Sequence, residues 1–494
     1  MVYEVIPMNR PKKSALFRRL RMTFFCVPLA AIFLLPQLFS GFLLPRQVET
    51  AVIHTAAGDV TRREFETSNS SFTQHIRTWT DAENTAVRSD RFAPVSGTQT
   101  HESTVLTVKG TGTMRTYDVK ANRWSEAPLR AGTFPKGMYF IRADGGDSII
   151  VTPLAYRDRG TGMIEYLPSS DGTLKVAKTA DGFSLSVQSG SVPAGAFSDS
   201  LALTSCRQLF DWNDGDTLTH WQNYRFTDDN RWCWSGYYYT APPEYYPNGE
   251  NYFHALPGAY ITCKMVRNAD DGACRMLGIA MLDVMRQQQN ELGFIPSTAG
   301  STWLKNDYGI EPGYYDTRFN TDLWLAVVNA AENYGVTEWL PQARKYADFL
   351  VQYAQEHHSS ITTGDALLVQ DYWHPNGEGL PTHTSLNHHS VEAVFLYRLS
   401  RAVGDDGYAL VADRMVKGIE QTVSRWVRPD GNLHYSLSPA GVGGGADYPY
   451  LTYNDLVDLQ TQYTARFHHP NSAIRMLAQT KLNWMQKNHV VILY

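Results

Sequence analysis

"LNHHSVEAVFLYRLSRAVGDDGYALVADRMVKGIEQTVSRW", Leu386 to Trp426, decides the fold of the C-terminal half of this 494-residue chain. Phe395, Leu396, Leu399, Ala402 and Val403 recur at helical spacing. After a Gly-Asp-Asp-Gly break, Tyr408, Val411, Met415, Ile419, Val423 and Trp426 do so again. Spacings of three and four line up apolar side chains on one stripe of a helix, so the stretch reads as a helical hairpin. Leu340, Ala343, Ala347 and Leu350 make a similar stripe, and about eight such segments run from residue 251 to 494. The loops between them are long and rich in Gly, Tyr, His and Asp, more than plain connectors need. An α/α toroid of helical hairpins is therefore expected over 251–494, with its polar and aromatic loops gathered at one end.

Upstream the texture changes. Between 101 and 200 short alternating runs such as "STVLTVKG", "DSIIVTPLAY" and "FSLSVQS" are separated by Gly145-Gly146 and Asp171-Gly172. Period-two alternation with turn pairs predicts an antiparallel β domain. Residues 201–250 form an aromatic bridge containing "WCWSGYYYTAPPEYY", in which Trp234 and Tyr238 read either as sugar-stacking platforms or as interdomain core. Residues 45–100 are rich in Thr, Ser, Arg and Asp without helical periodicity and read as a stalk. The fold class is multidomain α+β.

The first 45 residues bear on location. Arg10, Lys12, Lys13, Arg18, Arg19 and Arg21, in a basic segment 1–21, precede the uncharged run Met22 to Leu44. As a helix that run is about 34 Å long, enough to cross a bilayer core. The basic cluster should stay cytoplasmic, which makes 22–44 a single-pass signal anchor in the cell membrane and leaves the bulk of the chain extracytoplasmic. A cleaved signal peptide is the rival reading. Cys206, Cys233, Cys263 and Cys274 would then be exported, either paired or as buried thiols, and their spacing is not that of a zinc site. The net charge of −5 argues against a nucleic-acid partner.

The chemistry concentrates around "GEGLPTHTSLNHHS", Gly377 to Ser390. Thr384 or Ser385 is a natural N-cap for the helix that follows, placing His388 and His389 in its first turn, where the positive helix end favours neutral imidazole. Capping plus surface histidines is the plain account. Metal binding by His388 or His389 with Glu392 lacks a third ligand nearby, so neither a metal nor a cofactor is expected. Two later loops present Tyr435 after an Asp430-Gly431 turn, and Tyr448, Tyr450 and Tyr453 before a helix. "EPGYYDTRFNTD" offers Tyr314, Tyr315, Asp316, Arg318 and Asp322 at another helix entrance. Arg, Asn, His and Tyr at helix entrances suit proton abstraction beside a uronate carboxylate. Arg318 with Asn387 or histidine would neutralise the carboxylate, and tyrosine would move the C5 proton.

From about 370 to 487 the order of elements resembles the C-terminal helical domain of the D-glucuronyl C5-epimerases. The matching pieces are "EGLPTHTSLN", the helical hairpin above, "GNLHYSL", "YPYLTYNDLVDLQ" and a closing helix ending near Trp484. The resemblance implies that Asn387, Tyr435 and Tyr450 stand at functional positions and that the substrate is a uronate-containing, heparosan-like polysaccharide; a homodimer is compatible with it. The chain departs from the family twice. Where the family has acid-Tyr-Pro, this sequence reads Glu378-Gly379-Leu380-Pro381, and a histidine expected four residues after Tyr450 is Asn454. Epimerisation needs two acid/base groups, so His383 or His388 is expected to replace the missing tyrosine, with Glu378, Tyr315 and Asp316 beside the substrate. Three alternatives stand: a lyase performing β-elimination, a glycoside hydrolase pairing Asp316 or Asp322 with Glu378 or Asp371, and a non-catalytic glycan-binding envelope protein.

Overall fold

The computed structural model describes residues 45–268, 271–377 and 379–491. The basic segment and the expected anchor over 22–44 lie outside the described residues. Among the described residues no helix is long and apolar enough to cross a membrane.

A 13-stranded sheet forms the N-terminal half. Its main path runs through Arg46–Ile53, Val60–Ser68, Phe72–Asp81, Ala86–Pro94, Phe197–Thr204, Gly146–Gly160, Met163–Tyr166, Tyr252–Ala255, Gly236–Thr240 and Asn230–Cys233. A smaller four-stranded sheet (Glu102–Lys109, Gly182–Gln188, Thr173–Lys178, Gly132–Phe134) covers one face. Period-two alternation splits the side chains between two cores. Tyr139, Ile141, Ile150 and Ala202 meet Leu174, Leu185 and Val187 of the small sheet. Phe140, Ile149, Val151, Leu201 and Leu203, one residue out of phase, join the core shared with the helices.

Residues 45–100 are not a stalk. Four strands lie between Arg46 and Pro94 and form one wing of the large sheet. Several inward positions there are charged and satisfied by partners, so the hydrophobic alternation that marks a strand is absent. Arg62 Nη1 donates to Asp283 Oδ2 at 3.0 Å, and Trp79 Nε1 donates to the same oxygen at 3.0 Å. Asp283 belongs to the helical half, so this carboxylate ties the two halves together. The aromatic bridge likewise supplies strands to the sheet, and a short helix, α1 (Gly215–Asn223).

Among the described residues nine more helices follow: α2 (Tyr260–Arg267), α3 (Gly272–Arg286), α4 (Thr302–Tyr308), α5 (Thr317–Tyr334), α6 (Leu340–Glu356), α7 (Leu386–Val403), α8 (Asp406–Thr422), α9 (Leu451–Phe467) and α10 (Ser472–Lys487). Apart from α4 they form four hairpins in two layers, as an α/α toroid requires. The inner row is α2–α5–α7–α9, each packed on the next, with α3, α6, α8 and α10 outside. Among the described residues no comparable packing joins α9 back to α2, so the row is an arc. Gly404 at φ 70° ends α7 in the left-handed conformation, which makes the break before α8. Every residue of α7 from Leu386 to Tyr397 is buried. A helix buried on all sides belongs to a core, yet this one begins Leu-Asn-His-His-Ser, and each polar group must find a partner.

Candidate active site

The partners come from the loop before α7 and from the start of α5. Asp371 is fully buried. Its Oδ1 accepts the Ser385 N–H at 2.8 Å, and its Oδ2 accepts the Ser385 hydroxyl at 2.5 Å. His383 Nε2 lies 3.2 Å from Oδ2, off the line of a straight hydrogen bond, and His388 Nδ1 lies 3.7 Å from it. Burial pushes this carboxyl up, but the two histidines and the Ser385 hydroxyl outweigh it and hold Asp371 below the usual range. The Asp371 carbonyl accepts the Thr317 N–H at 3.0 Å, and Tyr372–Trp373 pairs with Tyr315–Asp316. The entrances of α5 and α7 are thus fastened to each other at Asp371.

His383 sits in a ring of aromatics. Its Nδ1 is 2.8 Å from the Tyr308 hydroxyl at the end of α4. Its ring stacks on Trp303, with centroids 5.9 Å apart, and faces Tyr435 at 5.9 Å. Burial, with Asp371 nearby, holds the Tyr435 pKa well above that of free tyrosine. Tyr448 meets Tyr435 edge-on at 5.6 Å and is half exposed, marking the solvent side of the cluster.

Asp316 caps α5, its Oδ1 accepting the Phe319 N–H at 2.9 Å. Burial, reinforced by Asp371 and Asp322, pushes its pKa up to about 8, so at neutral pH it carries a proton. Two neighbouring carboxyl groups therefore stand in opposite states: Asp316 neutral, Asp371 ionised.

The other expected residues fall as follows. Arg318 is on the same helix turn, but its guanidinium is taken by Asp322 (2.9 Å) and Asp455 (2.6 Å), and by the main-chain oxygen of Asn387 (3.2 Å). Among the described residues no hydrogen-bond donor meets the buried Asn387 Oδ1. His388 is not on the surface. Its Nδ1 lies 3.0 Å from the Thr317 hydroxyl, and burial lowers its pKa to about 4. The neutral state expected from the helix end is reached chiefly through burial. His389 is core: Nε2 meets the Met415 carbonyl at 3.0 Å. Tyr315 is also core, bonded to Tyr346 at 2.9 Å. Tyr450 stands at the N-cap position of α9 without a side-chain cap bond, and among the described residues no ring contact joins it to Tyr435 or His383; Tyr448 takes that place. Tyr238 belongs to the sheet, and Trp234 to the turn between the strands Asn230–Cys233 and Gly236–Thr240. Arg77 lies 4.2 Å over the Trp234 ring, and Tyr238 lines a separate 240 Å³ cavity with Met285 and Gln288. Glu378 lies outside the described residues. Among the described residues no group of three metal-ligating side chains assembles. The cysteines Cys206, Cys233, Cys263 and Cys274 are free thiols.

Sequence reading missed Trp303 and Tyr308. They lie on a seven-residue helix more than sixty residues upstream of α7, and no local pattern links the two elements.

Compared by sequence, the chain matches no family model and no curated protein. Solved structures similar to it include sugar isomerases, epimerases and glycoside hydrolases. One is a D-mannose isomerase at 12% identity and TM-score 0.35, covering 47% of this chain and 60% of the other. Another is a family 76 glycoside hydrolase from a bovine Bacteroides thetaiotaomicron strain, at 11% identity and TM-score 0.37, covering 90% and 78%. A third is the unsaturated glucuronyl hydrolase of Bacillus sp. GL1, at 15% identity and TM-score 0.33, covering 47% and 61%. The chain thus spans about three fifths of the isomerase and of the glucuronyl hydrolase.

Proposed function

We propose that the protein is a carbohydrate-active enzyme of the uronate C5-epimerase type, inverting C5 of uronic acid residues in a polysaccharide by removing and returning a proton. The observation that carries this reading is the Tyr435 ring set against His383 of the buried Ser385–Asp371–His383 cluster, beside the solvent-facing Tyr448. A tyrosine can exchange a proton with carbon only if its own proton has somewhere to go, and a titratable cluster stands beside this one. Arg318 is engaged by two carboxylates, so the substrate carboxylate needs another neutralising group. Neutral Asp316 is that group: it donates a hydrogen bond to the carboxylate, and more strongly to the enediolate formed when the C5 proton leaves. The single-pass anchor expected at residues 22–44 would place this chemistry outside the cytoplasm, where such polymers are.

One observation favours a second reading. A protonated Asp316 beside an ionised Asp371 is also the acid and base pair of a glycoside hydrolase. Incubating the full chain in deuterated water with heparosan and other uronate polymers separates the readings. Deuterium at C5 with intact chains is expected. Unsaturated ends would assign a lyase, new saturated reducing ends a hydrolase, and binding without turnover a glycan-binding protein.

A further inference from the structure

We propose that Tyr260, Tyr239 and Tyr245 form a stacking wall beside Asp316 that holds an uncharged pyranose ring of the polysaccharide next to the reacting uronate. The inference rests on the epimerase reading above and deepens it by naming the neighbouring sugar. The rings come from three elements that the fold brings to one rim. Tyr260 opens α2 and is 38% exposed, while Tyr239, on the strand Gly236–Thr240, and Tyr245, on the strand Tyr245–Tyr246, are half-buried. Their ring centroids make a continuous row. Phe319 meets Tyr260 at 6.3 Å, Tyr260 meets Tyr239 at 5.8 Å, Tyr239 meets His254 at 6.4 Å, and His254 meets Tyr245 at 4.5 Å. Both ends of the row are tied to the site. Phe319 donates its N–H to Asp316 Oδ1 at 2.9 Å, and Tyr245–Tyr246 pairs with Gly300–Ser301, which lead into α4 and so to Trp303 and Tyr308.

Period-two alternation decides which tyrosines of the aromatic bridge take this role. Tyr238 lines the separate cavity, whereas Tyr239, on the opposite face of the same strand, pairs with His254 and meets Tyr260. The start of α2 is pressed against α5: a Cβ on Gly258 would stand 3.3 Å from Phe319 Cα. Ala259 is held at φ 39°, a left-handed conformation that strains a residue with a Cβ. The turn presents Tyr260 at the rim, although Ile261 and Thr262 just after it are buried. The row carries no charge near neutral pH. Burial lowers the His254 pKa to about 4, which leaves a neutral imidazole, and raises the three tyrosines above their ordinary value. Such a wall matches the apolar C–H face of a pyranose, and the row itself offers no counter-ion to a carboxylate. The ring that stacks there is therefore a neutral sugar, and the uronate lies against Asp316.

The test titrates the full chain and its Tyr260→Ala, Tyr245→Ala and Tyr260→Phe variants with two polymers. Heparosan alternates uronate with an uncharged N-acetylated sugar, and in polygalacturonate every residue is a uronate. Calorimetry gives Kd, and C5 deuterium uptake gives KM and kcat. Each alanine variant should weaken heparosan binding by about tenfold, the scale of one aromatic contact, with KM raised and kcat little changed. Tyr260→Phe keeps the ring and should recover most of that loss. Polygalacturonate, with no uncharged ring to stack, should bind more weakly, and equally to wild type and to the alanine variants. Heparosan left unbound by wild type, bound unchanged by either alanine variant, or weakened as much as polygalacturonate by both overturns the inference. A wild type that binds heparosan through these rings but exchanges no C5 proton overturns the epimerase reading instead and leaves the wall standing.

Discussion

Arg318 Nη1 donates to Asp455 Oδ2 at 2.6 Å, joining the first turn of α5 to α9 across the entrance of α7. The same guanidinium holds Asp322 at 2.9 Å, and all three side chains are nearly buried. Breaking such a group from one side leaves buried charge without a partner. Arg318→Met should therefore destabilise the protein by about 3–5 kcal/mol. Arg318→Met with Asp455→Asn should recover part of that loss. Urea midpoints of the two variants check it. Equal stability of Arg318→Met and wild type would mean that solvent reaches the triad freely.

Asp316 makes stability depend on pH in a direction unusual for a carboxyl. Its folded pKa of about 8 lies above the ordinary value, so the native state binds more protons than the unfolded state between about pH 4 and 8. The contribution is full below about pH 4 and is lost as pH rises through about 8, at up to about 1.4 kcal/mol per pH unit. Asp316→Asn keeps an oxygen for the Phe319 N–H and cannot ionise. Denaturant midpoints across this range should fall less steeply with pH for Asp316→Asn than for wild type.

The buried histidines act with the opposite sign. His388 and His389 are both lowered by burial to about 4 from 6.5, so the unfolded chain binds more protons between those values. Stability they contribute is full above about pH 6.5 and is lost as pH falls through about 4. His389→Gln retains a donor and an acceptor but does not titrate in this range. Melts at pH 4.5 and 7 should differ less in that variant than in wild type. An unchanged difference would assign acid sensitivity to other groups.

The helical pattern and the β alternation were legible because apolar residues recur with the right period, and Leu386 to Trp426 folds as the hairpin its spacing predicts. The strands between Arg46 and Pro94 were not, because Arg62, Arg88 and Asp90 occupy buried positions where the pattern asks for apolar residues. At the site, the density of polar groups around Leu386 located the right loop. What the sequence could not convey was depth. Asn387, His388, His389 and Glu392 look like an exposed first turn, and only the burial of α7 on every side turns them into core groups. Tyr308 was invisible for a different reason: its link to His383 joins residues 75 positions apart and has no local signature. Leu380, where a family tyrosine is missing, is 65% exposed, so a tyrosine placed there would start from solvent and not from the cluster.

Tyr435 and Tyr450 look equivalent in the sequence, each standing at a loop end that the epimerase resemblance marks. The structure separates them. The Tyr435 ring contacts His383 and Tyr448. Tyr450 stands at the start of α9 and contributes no side-chain cap to it. Removing one hydroxyl leaves ring packing intact, so neither Phe variant should alter the melting profile or polymer binding by much. Turnover should divide them: Tyr435→Phe falls by ~10²–10⁴-fold in kcat with KM little changed, whereas Tyr450→Phe stays within a few-fold of wild type. Tyr448→Phe should resemble Tyr450→Phe, because an edge-on contact needs the ring and not the hydroxyl. If Tyr450→Phe is instead the inactive variant and Tyr435→Phe turns over normally, the cluster of Ser385, Asp371 and His383 is not the catalytic one, and the reactive centre lies nearer the start of α9.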